Sequence, residues 1–126
     1  MIVGALLTLA AAGCHRDGLT DEQRAARRTA ERYVRLLSEG KTSEALDALA
    51  YSDALCDGYR NELNDVLHEY YSGLIGQRGG VLSFAATRDT IDGTTAQVFV
   101  QVVFGDSTSE EIDVPLTLID GEWKVR

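Results

Sequence analysis

Apolar residues change their period once along this chain. Up to about residue 80 they recur at three- and four-residue steps, and from Val81 onward they alternate with polar ones. The first part therefore predicts helices and the second predicts strands. Thr20 and Gln23 have the spacing of a capping box, with Asp21 and Glu22 in the first turn, so a helix should begin there. Ala26, Ala30, Tyr33, Val34 and Leu37 mark its apolar side, and Gly40 supplies the stop. Arg24, Arg27, Arg28, Arg32 and Arg35 share the other side with Glu31, the pattern of a solvated face rather than an anion site. A short second helix starts at Thr42 or Ser43 and buries Ala45, Leu46 and Leu49. A third starts near Asp57, places Tyr59, Leu63, Val66, Leu67, Tyr70 and Leu74 on one side, and ends at Gly76, Gly79 and Gly80. His68 lies off that stripe, exposed and without a partner for acid–base work.

The alternating part divides into strands over residues 81–88, 95–104, 110–119 and 122–126. Asp92-Gly93 and Asp120-Gly121 are hairpin-turn dipeptides, and residues 105–109 form a longer turn. Even positions are apolar throughout: Leu82, Phe84 and Ala86, then Ala96 to Phe104, then Ile112 to Leu118. Trp123 and Val125 take the same side, which is the predicted core face. On the other face Gln97, Gln101, Asp113 and Thr117 alternate with Phe99, Val103, Pro115 and Ile119. These four apolar residues are a candidate interface for a homodimer or an envelope protein partner, with a terminal segment or the linker from His15 to Leu19 folded over them as the competing reading. The expected fold is α+β, three amino-terminal helices packed on one face of a curved antiparallel sheet of about four strands.

Residues 1–13 carry no charge, and the first charged residue is Arg16. A helix of this length would reach only about 20 Å, short of a hydrocarbon core of about 30 Å. The run fits the apolar region of a secretory signal peptide, with a buried amino-terminal strand or helix as the other use for it. Its end, Leu9-Ala10-Ala11-Ala12-Gly13-Cys14, resembles the lipobox of bacterial lipoproteins. It departs from that pattern in having Ala11 three before the cysteine and no basic residue near Met1. The resemblance implies a signal peptide over 1–13, a lipidated Cys14 with a linker over 14–19, and one domain over 20–126. It also implies an extracytoplasmic protein, tied to the bacterial cell membrane or outer membrane through the acylated cysteine, since two or more acyl chains make an anchor stable.

At 126 residues the chain is sized for one domain, and its net charge of −8 argues against nucleic acid as a partner. Cys56 reads as a small buried residue near a helix boundary, or as the disulfide partner of Cys14 if the latter is not lipidated. Two cysteines and two histidines lack zinc-site spacing, no Gly-rich phosphate loop precedes a helix, and no serine sits in a nucleophile elbow. No cofactor or metal is expected.

The helix pair written across residues 30–46, with Glu31-Arg32-Tyr33-Val34-Arg35 at its centre, and the closing Asp120-Gly121-Glu122-Trp123-Lys124-Val125 together resemble small lipoproteins carrying a nuclear-transport-factor-like, cystatin-like domain. That resemblance implies a cone of helices and curved sheet around a cavity, used in some members for catalysis and in others for binding. Tyr33, Tyr59, Tyr70 and Trp123 are candidate lining residues. No carboxylate interrupts the even-numbered inward run except Glu110 at a strand end. The expectation is a non-catalytic binding or protein-interaction module. The alternative is an isomerase- or hydrolase-like enzyme with Glu110 as base and Tyr59 or Tyr70 as donor.

Overall fold

The computed structural model describes residues 18–126. The signal peptide, Cys14 and most of the linker expected from the sequence lie outside the described residues. Helix α1 spans Asp21–Ser38, α2 Thr42–Asp47 and α3 Asp57–Gln77, with a single 3-10 turn at Ser52–Ala54 between the last two. Strands β1 (Val81–Asp92), β2 (Thr95–Phe104), β3 (Ser109–Ile119) and β4 (Glu122–Val125) then form one antiparallel sheet in the order β1-β2-β3-β4.

The capping box closes as expected. Gln23 N donates to Thr20 Oγ1 at 3.1 Å and Thr20 N to Gln23 Oε1 at 2.9 Å, which satisfies two backbone donors at the start of α1. Below that cap Ala26, Ala30 and Val34 pack on Val98, Val100, Val114 and Leu116 of the central strands, and Leu46, Leu49, Trp123 and Val125 complete the core. In β2 the burial alternates without a break, with Ala96, Val98, Val100, Val102 and Phe104 all inward. The one proline is accommodated by the register of β3. The β2–β3 register makes even residues of β3 the hydrogen-bonded ones, as Leu118 N donating to Thr94 O shows, so Pro115 turns its missing N–H away from β2.

Strand β1 departs from simple alternation. Its register slips twice, between Val81 and Ser83 and between Ala86 and Arg88. At the first slip Leu82, expected in the core, is thrown outward to 68% exposure, and Val81 takes the inward place. At the second the inward parity passes to odd residues, so Asp89 and Ile91 stand opposite Val98 and Ala96. The strand also runs to Asp92 rather than ending at residue 88. The hairpin that follows centres on Gly93-Thr94, one residue later than the Asp-Gly dipeptide suggests, with positive φ at Gly93 only. By contrast Asp120 and Gly121 both adopt positive φ in the tight β3–β4 turn.

Helix α3 differs from α1 in having no fully buried residue. Tyr59, Val66 and Tyr70 are 54%, 58% and 62% exposed, so half of the expected stripe faces solvent. The packed side is Leu63, Leu67, Tyr71 and Ile75, a four-residue step that follows the helix more closely. Asn64 Oδ1 on the same side is sealed from solvent with no hydrogen-bond partner among the described residues. Cys56 at the N-cap of α3 is exposed and free, not buried, because α3 begins at the periphery beyond the 3-10 turn.

The α3 end is fixed to the sheet by glycine. Gly105 N donates to Gly80 O and Asp106 N to Arg78 O, each at 2.8 Å, bringing two turns together backbone to backbone. A Cβ on Gly105 would overlap the carbonyl of Gly79, so this approach requires glycine.

Candidate functional site

Where α3 leans away from the sheet it leaves a half-open cleft of about 100 Å³. Val34 and Leu37 of α1, Leu74 and Ile75 of α3, and Val102, Phe104 and Ile112 of the sheet make its apolar floor. Its polar groups gather at the mouth: Ser38, Tyr70, Tyr71, Glu110 and Glu111. Tyr70 and Tyr71 meet edge to face with ring centroids 5.0 Å apart. Arg78 follows α3 and lies over the Phe104 ring at 5.0 Å, and its guanidinium pairs with Glu110 at 3.1 Å. Glu110, the proposed base of the enzymatic alternative, is thus half-exposed and already engaged by a cation.

Burial, then the neighbouring Tyr70 and Glu110, push the Tyr71 hydroxyl above its ordinary value, so it is a protonated donor at neutral pH. Deeper in, burial followed by Tyr71 and Tyr51 pushes Tyr33 up to about 12. Tyr33 packs beside Leu36 and Leu37 rather than lining the cleft. Tyr59 stands in solvent away from it. Trp123 is buried at the other end of the core, where its edge borders a polar surface groove with Arg32, Glu44, Asp47 and Lys124. Of the expected lining residues, then, only Tyr70 reaches the cleft. Tyr71 and Arg78 were missed; the four-residue step from Leu63 through Leu67 points to Tyr71, whereas nothing local in the sequence points to Arg78.

A second carboxylate turns inward beside α1. Asp89 is buried beyond the second slip of β1, where its Oδ2 accepts from Arg27 Nε at 2.6 Å and its Oδ1 from Gln23 Nε2 at 3.1 Å. Glu31 accepts from Ala86 N at 2.8 Å while Arg27 donates to Ala86 O at 3.2 Å, covering the open edge of β1. These contacts engage both oxygens of Asp89, which clasps β1 to α1.

On the outer sheet face, the four candidate interface residues are separated by polar ones. Phe99 lies beneath the Arg88 guanidinium, 3.9 Å from its ring centroid, and Glu111 holds that arginine at 2.8 Å. Pro115 sits opposite Gln97, which donates to Asp113 at 3.1 Å. Val103 lies near one end of the sheet and Ile119, 39% exposed, at the other.

No family model and no curated protein matches the chain. Among solved structures, an NTF2-like protein of Campylobacter jejuni, described as a transpeptidase candidate, superposes with a TM-score of 0.66 at 20% identity. The alignment covers 84% of this chain and 97% of that one. The fold is NTF2-like. The nuclear-transport-factor-like architecture expected from the sequence is therefore present, helices on one face of a curved four-stranded sheet. Within this NTF2-like frame the cleft is small. Typical ligand pockets measure roughly 300–1,000 Å³, and a cavity of about 150 Å³ admits one benzene. A space of about 100 Å³ matches one apolar side chain, and the polar groove beside Trp123 measures about 370 Å³.

Proposed function

We propose that this chain is a membrane-tethered, extracytoplasmic binding module without catalytic activity. The observation that carries the binding reading is the cleft itself: an apolar floor sized for one side chain, with the carboxylate at its mouth, Glu110, held by Arg78. A general base must be free to take a proton from a bound substrate, and a rim ion pair open to water does not supply that. The tether rests on the lipobox-like segment ending at Cys14. An acylated cysteine there would hold the domain at the membrane surface through the short linker.

Two measurements test this reading. Expressed in a bacterium, the wild type should partition into detergent and yield an amino-terminal peptide with the mass of an acylated cysteine, whereas Cys14→Ser should not. An unmodified Cys14 in the mature wild type would end the tether. A photo-crosslinker at position 70, on the cleft mouth, should capture a partner in native membranes, and Ile112→Trp, which fills the floor, should abolish capture. Equal capture by both proteins would take the cleft out of the reading.

A second reading keeps Tyr71 and Glu110, neighbours at the mouth, as hydrogen-bond donor and base of an isomerase- or hydrolase-like site. The C. jejuni neighbour's description adds transpeptidation as a further reaction to assay. Glu110→Gln distinguishes these readings, since it would abolish turnover in an enzyme and leave capture through the apolar floor in a binding module.

A further inference from the structure

Strand β3 is paired along only part of its outer side. The β3–β4 ladder joins Leu116 through Ile119 to residues 122–125, and Arg126 N extends it by donating to Pro115 O at 2.9 Å. Before Pro115 no strand pairs with β3 on that side among the described residues. The β2–β3 register makes the even residues Glu110, Ile112 and Val114 the ones bonded to β2. Glu111 and Asp113, both exposed, therefore point their N–H and C=O groups outward along a free edge. The first of these residues also borders the cleft, as does Ile112 between them.

Unpaired edges normally invite another strand, and proteins blunt them with charge or cover. The edge of β1 is covered by Arg27 and Glu31, and that of β4 by residues 48–50, where Val125 N donates to Ala48 O and Ala50 N to Val125 O. Among the described residues the β3 edge has no such cover, and its residues are Ser109-Glu110-Glu111-Ile112-Asp113.

We infer that this edge is a docking strand for an extended, basic segment of a partner protein, which adds to the sheet beside β3 and places an apolar side chain in the cleft. The inference builds on the binding-module reading and gives its partner a chemistry. Side chains of paired strands share a face. Partner residues opposite Glu111 and Asp113 fall on the outer face beside two carboxylates, the first shared with Arg88 and the second held by the amide of Gln97, whereas those opposite Ile112 fall inward over the cleft floor. The fitting sequence thus alternates Lys or Arg with Val, Ile or Leu. A second copy of this chain fits poorly, because antiparallel pairing of two such edges sets Glu111 against Glu111 or against Asp113 on the outer face. Strand addition takes its affinity from main-chain hydrogen bonds and its selectivity from alternate side chains, as required here.

The test uses the full chain in detergent micelles and a blocked hexapeptide alternating lysine with valine. Amide hydrogen exchange should slow at Glu111 and Asp113 by at least tenfold on adding saturating peptide, with no comparable change along β2. In antiparallel addition the residues opposite Glu111 and Asp113 carry the donors that face the edge, so a peptide N-methylated at its lysine positions keeps its charge but loses those donors, and should give no protection. Asp113→Pro, which removes an edge N–H while sparing the β2 ladder, should weaken binding by at least tenfold. Unchanged exchange at both positions, or equal binding of the methylated peptide, would overturn the inference. If Ile112→Trp abolished position-70 capture in membranes while the peptide gave no protection, the module reading would stand and this one would fall.

Discussion

Arg27 Nε donates to Asp89 Oδ2 across 2.6 Å, joining the middle of α1 to β1 just beyond the second slip in that strand's register. The slip turns Asp89 inward, and the arginine is the group that makes an inward carboxylate tolerable. Bulge and ion pair are thus one device. Without the pair, the parity of the end of β1 would bury an unpaired charge against Val98.

Asp89→Ala should accordingly destabilise the domain by about 3 kcal/mol or more, because it strands a largely buried guanidinium. The double variant Arg27→Met with Asp89→Leu should lose less than either single one. Urea unfolding midpoints check both, and a loss of about 0.5 kcal/mol for Asp89→Ala, the size of an ordinary surface change, would refute the clasp.

Glycine replacements should separate by context. Gly105→Ala should cost about 1–3 kcal/mol, since its Cβ meets the Gly79 carbonyl and forces apart the turns that tie α3 to the sheet. Gly73→Ala lies in α3 with open space around it, and should raise stability by about 0.8 kcal/mol through helix propensity alone. Thermal unfolding of the two variants should therefore shift in opposite directions.

Tyr33 makes stability fall at high pH. Its folded value of about 12 lies above the ordinary 10.0, so in between the unfolded chain ionises while the folded one holds its proton. The contribution, about 2–3 kcal/mol at most, is fully present below pH 10 and is lost as pH rises toward 12. Denaturant titrations across that window should show the decline, and Tyr33→Phe should flatten it. An unchanged slope in Tyr33→Phe would assign the decline to other groups.

Legibility in the sequence followed the range of the interactions. The capping box of α1 and the inward run of β2 are set by residues a few positions apart, and both were readable directly. Leu82 and Asp89 were not, because alternation fixes parity only until a register slip, and the slips are set by pairing with β2 and by α1. The same distinction explains the cleft. Tyr70 and Tyr71 are adjacent, and which one turns inward is decided by the placement of α3 against α1 rather than by α3 itself. Arg78 and Glu110 meet because two glycine turns touch, a contact separated by more than 25 residues in the chain.

Helix α3, with no fully buried side chain and the sealed amide oxygen of Asn64, gives the molecule two tiers of stability rather than one. Its backbone amides should exchange by a local opening that leaves β2 and β3 zipped, and proteases should nick it before the sheet yields. A partner that fills the cleft would hold that helix down, so occupancy would be readable as quiet in a segment 21 residues long, much of it remote from the bound side chain.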